Sequence, residues 1–170
     1  FPMAHVSFHG NNKSLEELTM ALDYGVGCII VDNFYELGLL RDLAAQREQV
    51  TTIMLRVAPG ISAHTHEYIS TGQEDSKFGF DLNSGQADEA VKQAQAAPFL
   101  DLIGIHCHIG SQIFELDGFK MIVDKLVTVF ARWRNDLGFY PQVMNVGGGF
   151  GVKYTSEDQP LLPTEFVDAI

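Results

Sequence analysis

The chain has 170 residues, of which 46% are hydrophobic, and its formal net charge is −11 at pH 7. This length and composition predict one domain with a single sizeable core. The acidic balance and the lack of a basic cluster argue against a nucleic-acid partner. No apolar run approaches the roughly 20 residues of a membrane span, and no secretory signal opens the sequence. Cys28 and Cys107 lie in apolar runs, as buried thiols do, which favours a reducing, cytoplasmic compartment.

Short apolar segments alternate along the chain with segments of helical periodicity. The predicted strands are residues 5–8, 28–31, 51–57, 102–108 and 143–146. Because this alternation is typical of parallel sheets, the architectures to compare are an open doubly wound sheet and a (β/α)₈ barrel. Polar or glycine-rich segments follow every predicted strand, as they do at the functional end of a barrel. The sequence therefore predicts an α/β fold with about five consecutive units of a TIM barrel.

The predicted helices have recognisable start signals. Ser14 with Glu17 forms a capping box, Asn33 caps the second helix, and Ser84 is predicted to cap the third. A fourth helix is predicted over residues 119–133 and a fifth from Pro163. The first helix is expected to bury a stripe that consists of Leu15, Leu18, Ala21 and Leu22.

Residues 104–112, GIHCHIGSQ, form an apolar strand that ends in imidazoles, glycine and a hydroxyl. Side chains alternate along a strand, so His106 and His108 are expected on one face. One hypothesis is that these histidines bind a metal together with His9, His64 or His66, as in a zinc hydrolase. The alternative is that His108 stacks on a planar cofactor and Ser111 donates to an anion. His106 has no predicted role.

The glycines Gly147, Gly148 and Gly149 follow the next predicted strand. Three successive glycines let backbone N–H groups approach a phosphate, although the same run also suits a simple tight turn. Phe150 interrupts any dinucleotide fingerprint, and no G-x-G-x-x-G motif opens a helix. A cofactor with a single phosphate is therefore favoured over NAD.

Charged side chains near the strand ends complete the candidate set. Arg56 lies inside an apolar strand, where it must reach a polar partner, so a functional role is predicted. Lys13 and Lys77 are candidates for a Schiff base, but their polar surroundings favour solvated or ion-paired lysines.

Four motifs make this chain similar to a known family. HGNNKS at 9–14, EYISTGQEDSKFGF at 67–80, GIHCHIGSQ at 104–112 and NVGGGFG at 145–151 resemble the pyridoxal-phosphate-dependent decarboxylases with an alanine-racemase-like barrel. Within that family, the first two motifs resemble the diaminopimelate decarboxylase branch. Ornithine and arginine decarboxylases share the other two, and they remain the alternative.

The resemblance implies a fold and roles for particular residues. It places the predicted strands as the third to the seventh of the barrel. His108 would stack on the pyridine ring, Ser111 and the Gly147–Gly149 backbone would hold the phosphate, and Arg56 would lie near the phenolic oxygen. The implied cofactor is pyridoxal 5'-phosphate, with no metal.

The resemblance also implies an activity and an oligomeric state. The expected reaction is decarboxylation of meso-diaminopimelate to L-lysine and CO₂ by a homodimer in the cytoplasm. The family's Schiff-base lysine, its eighth-strand motif and its C-terminal β domain have no counterpart in these residues. We therefore expect a piece of the barrel domain that is inactive alone, or a phosphate-binding module without catalysis.

Overall fold

The structure is a computed structural model that describes residues 1–61 and 77–170. After a 3₁₀ turn at Met3–His5, strands and helices alternate over the described residues, except that the strand Phe80–Asp81 is the next element after the strand Thr51–Ala58. The strands are β1 (Ser7–Phe8), β2 (Cys28–Val31), β3 (Thr51–Ala58), β4 (Phe80–Asp81), β5 (Leu100–His106) and β6 (Val143–Asn145). The helices are α1 (Leu15–Asp23), α2 (Phe34–Arg47), α3 (Gln86–Ala96), α4 (Asp117–Asp136) and α5 (Pro163–Ala169).

The sheet is parallel throughout the described part of the chain. Its strand order is β1-β2-β3-β5-β6, and the short β4 pairs with the end of β3 outside this path. Along this path each strand lies beside the next one, and a helix lies between each successive pair along the chain, namely α1, α2, α3 and α4, as parallel neighbours require. All carboxyl ends of the strands therefore lie at one end of the sheet.

The helices pack on one face of this sheet. Residues from all five helices join one core cluster with alternate strand residues such as Ile29, Ile53 and Ile105. The intervening residues Cys28, Ile30 and Met54 form a separate cluster that contains strand residues only. A doubly wound sheet would carry helices on both faces. The predicted barrel-type arrangement is therefore confirmed.

Local signals placed some helix starts correctly and one wrongly. The capping box of Ser14 with Glu17 and the cap at Asn33 are both confirmed. The predicted cap at Ser84 is wrong: α3 begins after Gly85, and the Ser84 N–H donates to the Asp81 carboxylate instead. In α1, Leu15 is 51% exposed, so the predicted buried stripe begins only at Leu18.

Strand boundaries differ from the predictions at several positions. The first strand is only two residues long, because the chain before it forms the 3₁₀ turn. The fifth strand runs from Leu100 to His106, so His108 lies in the loop beyond it. The sequence did not predict β4. Two of the candidate metal ligands, His64 and His66, lie outside the described residues. Among the helices of residues 1–61 and 77–170, none has the length and apolar character of a membrane span.

Candidate functional site

Strand register places three polar side chains in one row at the carboxyl end of the sheet. Arg56 of β3 is the register partner of His106 on β5, and His106 is the partner of Asn145 on β6. Because side chains alternate along a strand, this row shares the face that carries Met54, opposite the helices. The face opposite the helices is thus apolar at Met54 and polar at its carboxyl end.

This row forms part of a cleft of about 470 Å³. The cleft is lined by His9, Arg56, His106, His108, Asn145, Gly147 and Gly148. It brings together four of the predicted site residues, namely Arg56, His108, Gly147 and Gly148. Ser111 and Gly149 are not part of its lining, although both lie on loops that reach it.

Two further residues line the cleft: His9, which was considered only as a metal ligand with His106 and His108, and Asn145, for which no role was predicted. His9 follows the short strand β1, and Asn145 ends β6. The position of each at the end of a strand is the signal that could have indicated them. Asn145 also has a local task, because its Oδ1 accepts the Gly147 N–H at 2.9 Å.

The glycine loop after β6 packs tightly against the loop after β5. Gly147 and Gly149 adopt φ values of +80° and +87°, which residues with a side chain rarely take. A Cβ at Gly147 would lie 2.5 Å from the Cys107 carbonyl oxygen, and one at Gly149 would lie 2.0 Å from that of Gly110. Gly148 has open space beside it. Close packing thus requires glycine at positions 147 and 149. Gly148 lines the cleft and has open space where a Cβ would be.

Hydrogen bonds connect the same two loops. The Ile113 N–H donates to the Gly149 carbonyl at 2.9 Å, and the Gly151 N–H donates to the Ile113 carbonyl at 2.8 Å. Beside them, the Gln112 amide donates to the Val152 carbonyl and accepts the Val152 N–H, both at 3.0 Å. Two loops that carry predicted cofactor residues are therefore fixed relative to each other.

The side chains that line the cleft differ in charge: the histidines have lowered pKa values, and Arg56 is a cation. Burial lowers the pKa of His106 to about 4, and the nearby Arg56 guanidinium acts in the same direction. Burial followed by Arg56 also lowers the pKa of His9 and of His108 below the ordinary value. With all three pKa values below 6.5, the imidazoles are mainly neutral at pH 7, and Arg56 supplies a positive charge. The cleft is suited to an anion that also needs neutral hydrogen-bonding groups.

His106 has an unused polar atom. Its side chain is buried, and within the described residues no protein group hydrogen-bonds its Nδ1. The ring of His9 meets it edge-on, with centroids 4.8 Å apart. A buried polar atom without a partner is costly, so a bound group that satisfies Nδ1 would be favoured.

The lysine and metal hypotheses have less support. Lys13 is buried and pairs with Glu36 at 2.7 Å, which confirms an ion-paired rather than a solvated lysine. Lys77 is exposed, and neither lysine lines the cleft.

Within the residues that the structure describes, no group of three side chains could hold a metal ion. His64 and His66, which the metal hypothesis included, lie outside those residues.

The sequence of this chain is similar to those of known proteins along its whole length. The family described as "Pyridoxal-dependent decarboxylase, pyridoxal binding domain" matches residues 1–170. A diaminopimelate decarboxylase of Bacillus subtilis is 51% identical over the whole chain, which covers 39% of that protein. One of Halalkalibacterium halodurans is 57% identical over 158 residues, 93% of this chain and 36% of that protein.

Solved structures agree with the family match. The diaminopimelate decarboxylase of M. jannaschii in co-complex with L-lysine superposes with a TM-score of 0.88 at 31% identity, over 99% of this chain and 38% of that one. The chain thus spans about two fifths of the length of its relatives. Its strands and helices form part of their alanine-racemase-like barrel. The match along the whole chain and the parallel fold agree, and the chain belongs to the family described as pyridoxal-dependent decarboxylase, pyridoxal binding domain.

Proposed function

We propose that this chain is the cofactor-binding part of a longer diaminopimelate decarboxylase, which converts meso-diaminopimelate into L-lysine and CO₂. The observation that carries the proposal is the cleft, which combines the Arg56 charge, neutral imidazoles and an open glycine backbone. Relatives at 51% and 57% identity bear the name diaminopimelate decarboxylase. The solved lysine/ornithine decarboxylase of Vibrio vulnificus and the arginine decarboxylase of Paramecium bursaria Chlorella virus are only 20% and 17% identical to this chain, so they support the fold alone.

The residues of the cleft fit pyridoxal 5'-phosphate, which joins a planar ring to an anionic phosphate. The backbone of Gly147–Gly149 and the hydroxyl of Ser111 would hold the phosphate. His108, whose side chain is exposed at the cleft, would stack on the ring. Arg56 would balance negative charge on the ring oxygen, and the buried Nδ1 of His106 would gain a partner.

The protein's contribution is to bind and orient. When bound, the cofactor supplies an electron-withdrawing ring that stabilises the negative charge left when CO₂ departs. The neutral His108 can contact that ring without adding a charge to it, because its pKa is lowered. The hydrogen bonds between the Ile113 and Gly149 segments keep both sides of the phosphate site in place.

The remaining parts of the proposal concern the longer protein. We propose that it is a cytoplasmic homodimer and that residues 1–170 belong to its barrel domain. The Schiff-base lysine and the groups that read the distal end of the substrate would come from outside these residues. The 170-residue chain alone is therefore expected to release no CO₂.

The test uses the full-length protein. It is expected to bind pyridoxal phosphate, seen as a change in the cofactor's absorbance, and to release CO₂ from meso-diaminopimelate in preference to ornithine or arginine. In the same protein, His108→Ala is expected to weaken cofactor binding or turnover. Cofactor binding without turnover of any of the three amino acids would favour a phosphate-binding module. No binding at all would contradict the proposal.

A further inference from the structure

A buried carboxylate stands directly behind the cleft. Asp32 follows β2, and its side chain is only 2% exposed. Its Oδ1 accepts the Gly79 N–H at 2.9 Å, and its Oδ2 lies 3.4 Å from Nη1 of Arg56. A buried charge is costly unless it is paired and hydrogen-bonded, and Asp32 has both kinds of partner. Asp32 does not line the cleft.

The backbone of Asp32 is held by a second buried ion pair. The Glu36 carboxylate accepts the Asp32 N–H at 3.2 Å and pairs with the Lys13 ammonium at 2.7 Å. That ammonium also donates to the carbonyls of Gly10 and Ile30, each at 2.7 Å. All three of its protons are thus used, and the loop after β1 is fixed to the end of β2. The contacts of Glu36 and Lys13 therefore fix the backbone of Asp32 independently of its ion pair with Arg56.

Asp32 also holds the segment that carries Phe78, whose ring packs against the Arg56 guanidinium. The Arg56 guanidinium carbon is 4.4 Å from the centroid of the Phe78 ring. Gly79, the next residue, donates to Asp32 and packs against the Arg56 backbone, where a Cβ would lie 2.9 Å from the Arg56 carbonyl oxygen. One carboxylate thus binds both the guanidinium and the segment that supports it.

We propose that Asp32 is a positioning residue that holds the Arg56 guanidinium at the cofactor cleft. The inference rests on the proposed function, because it takes Arg56 as a group that meets the anionic cofactor. Arginine has a long side chain with many rotamers, and a fixed counter-charge reduces the number that it samples. Asp32 acts through Arg56 and touches neither cofactor nor substrate.

The test is a double-mutant cycle in the full-length holoenzyme, with kcat and the Kd for pyridoxal phosphate as readouts. Asp32→Asn keeps an oxygen for the Gly79 N–H but removes the charge that pairs with Arg56. Asp32→Asn and Arg56→Gln are each expected to weaken cofactor binding or turnover by about tenfold. The double variant is expected to match Arg56→Gln within about twofold, because the two residues act as one unit.

A matched control removes a similar ion pair elsewhere. Asp23 pairs with Arg47 but is 57% exposed, and Asp23→Asn is expected to change both readouts by less than about twofold. If Asp32→Asn lowers the melting temperature strongly, Asp32→Ser repeats the cycle with a hydroxyl that can still accept from Gly79. Loss of folding in both variants would overturn the inference, since Asp32 would then act on stability.

The outcomes separate the two proposals. A wild-type protein that does not bind pyridoxal phosphate contradicts the proposed function. Wild-type activity together with additive effects of Asp32→Asn and Arg56→Gln contradicts only the positioning role. An Asp32→Asn variant that equals the wild type also overturns that role.

Discussion

At the scale of single residues, the three successive glycines have different tasks. Gly149→Ala places a Cβ against the Gly110 carbonyl oxygen in a backbone conformation that alanine avoids. We expect it to lower the free energy of unfolding by at least about 2 kcal/mol, measured by chemical denaturation. Gly148→Ala meets open space, so stability should change by less than about 0.5 kcal/mol, whereas affinity for pyridoxal phosphate should fall. Equal destabilisation by the two variants would contradict this division.

The buried His106 is expected to make the stability of the protein depend on pH. Its pKa falls from 6.5 to about 4 on folding, so the unfolded chain binds more protons between these values. The free energy of unfolding should therefore decrease as the pH falls from about 6.5 to about 4, by up to about 3 kcal/mol. The lowered pKa values of His9 and His108 act with the same sign.

The variant His106→Gln tests the assignment to this side chain. Denaturation at pH 7, 5.5 and 4.5 should show a smaller dependence on pH than in the wild type. His5→Gln, at an exposed residue of the 3₁₀ turn, should leave the dependence unchanged. An unaltered slope in His106→Gln would assign the effect to other groups.

At the scale of elements, the connection between the two loops is expected to support the cofactor site. Gln112 adopts a φ of +55° and makes two hydrogen bonds with the backbone of Val152. Gln112→Ala removes both bonds, so the Val152 amide should exchange its hydrogen faster and cofactor affinity should fall. Gln93→Ala removes a surface bond to Glu89 on α3 and should alter neither quantity. Unchanged exchange at Val152 would show that the backbone bonds of Ile113 suffice.

Contacts between neighbours in the sequence were predicted better than contacts between residues that are far apart along the chain. The capping box at Ser14 and the cap at Asn33 depend on neighbouring residues, and both were predicted correctly. The pairing of Asp32 with Arg56 joins the residue that follows β2 to a residue of β3, and it depends on a register between these strands that spacing along the chain does not define. Leu15 has the helical spacing of a buried residue, but no element of the described part of the chain covers it, and it is 51% exposed.

At the scale of the whole molecule, apolar surface lies beside strand β1, which pairs with β2 on one side and, within the described residues, has no partner strand on the other. In the strand order of the described residues, β1 is the first strand, and a groove of about 350 Å³ lies between it and α1. Met20 and Tyr24 line this groove and are 52% and 65% exposed. Open strand edges and contiguous apolar surface both favour association with another chain.

The 170-residue chain, expressed alone, is therefore expected to self-associate in a concentration-dependent way through this edge. Light scattering after size-exclusion chromatography should show a mass that increases with concentration. Met20→Glu places a charge in the groove and should shift the chain toward monomer. Val127→Glu introduces the same charge at a 55% exposed position of α4 and should not. Equal effects of the two variants would show that net charge controls the association, rather than the groove beside β1.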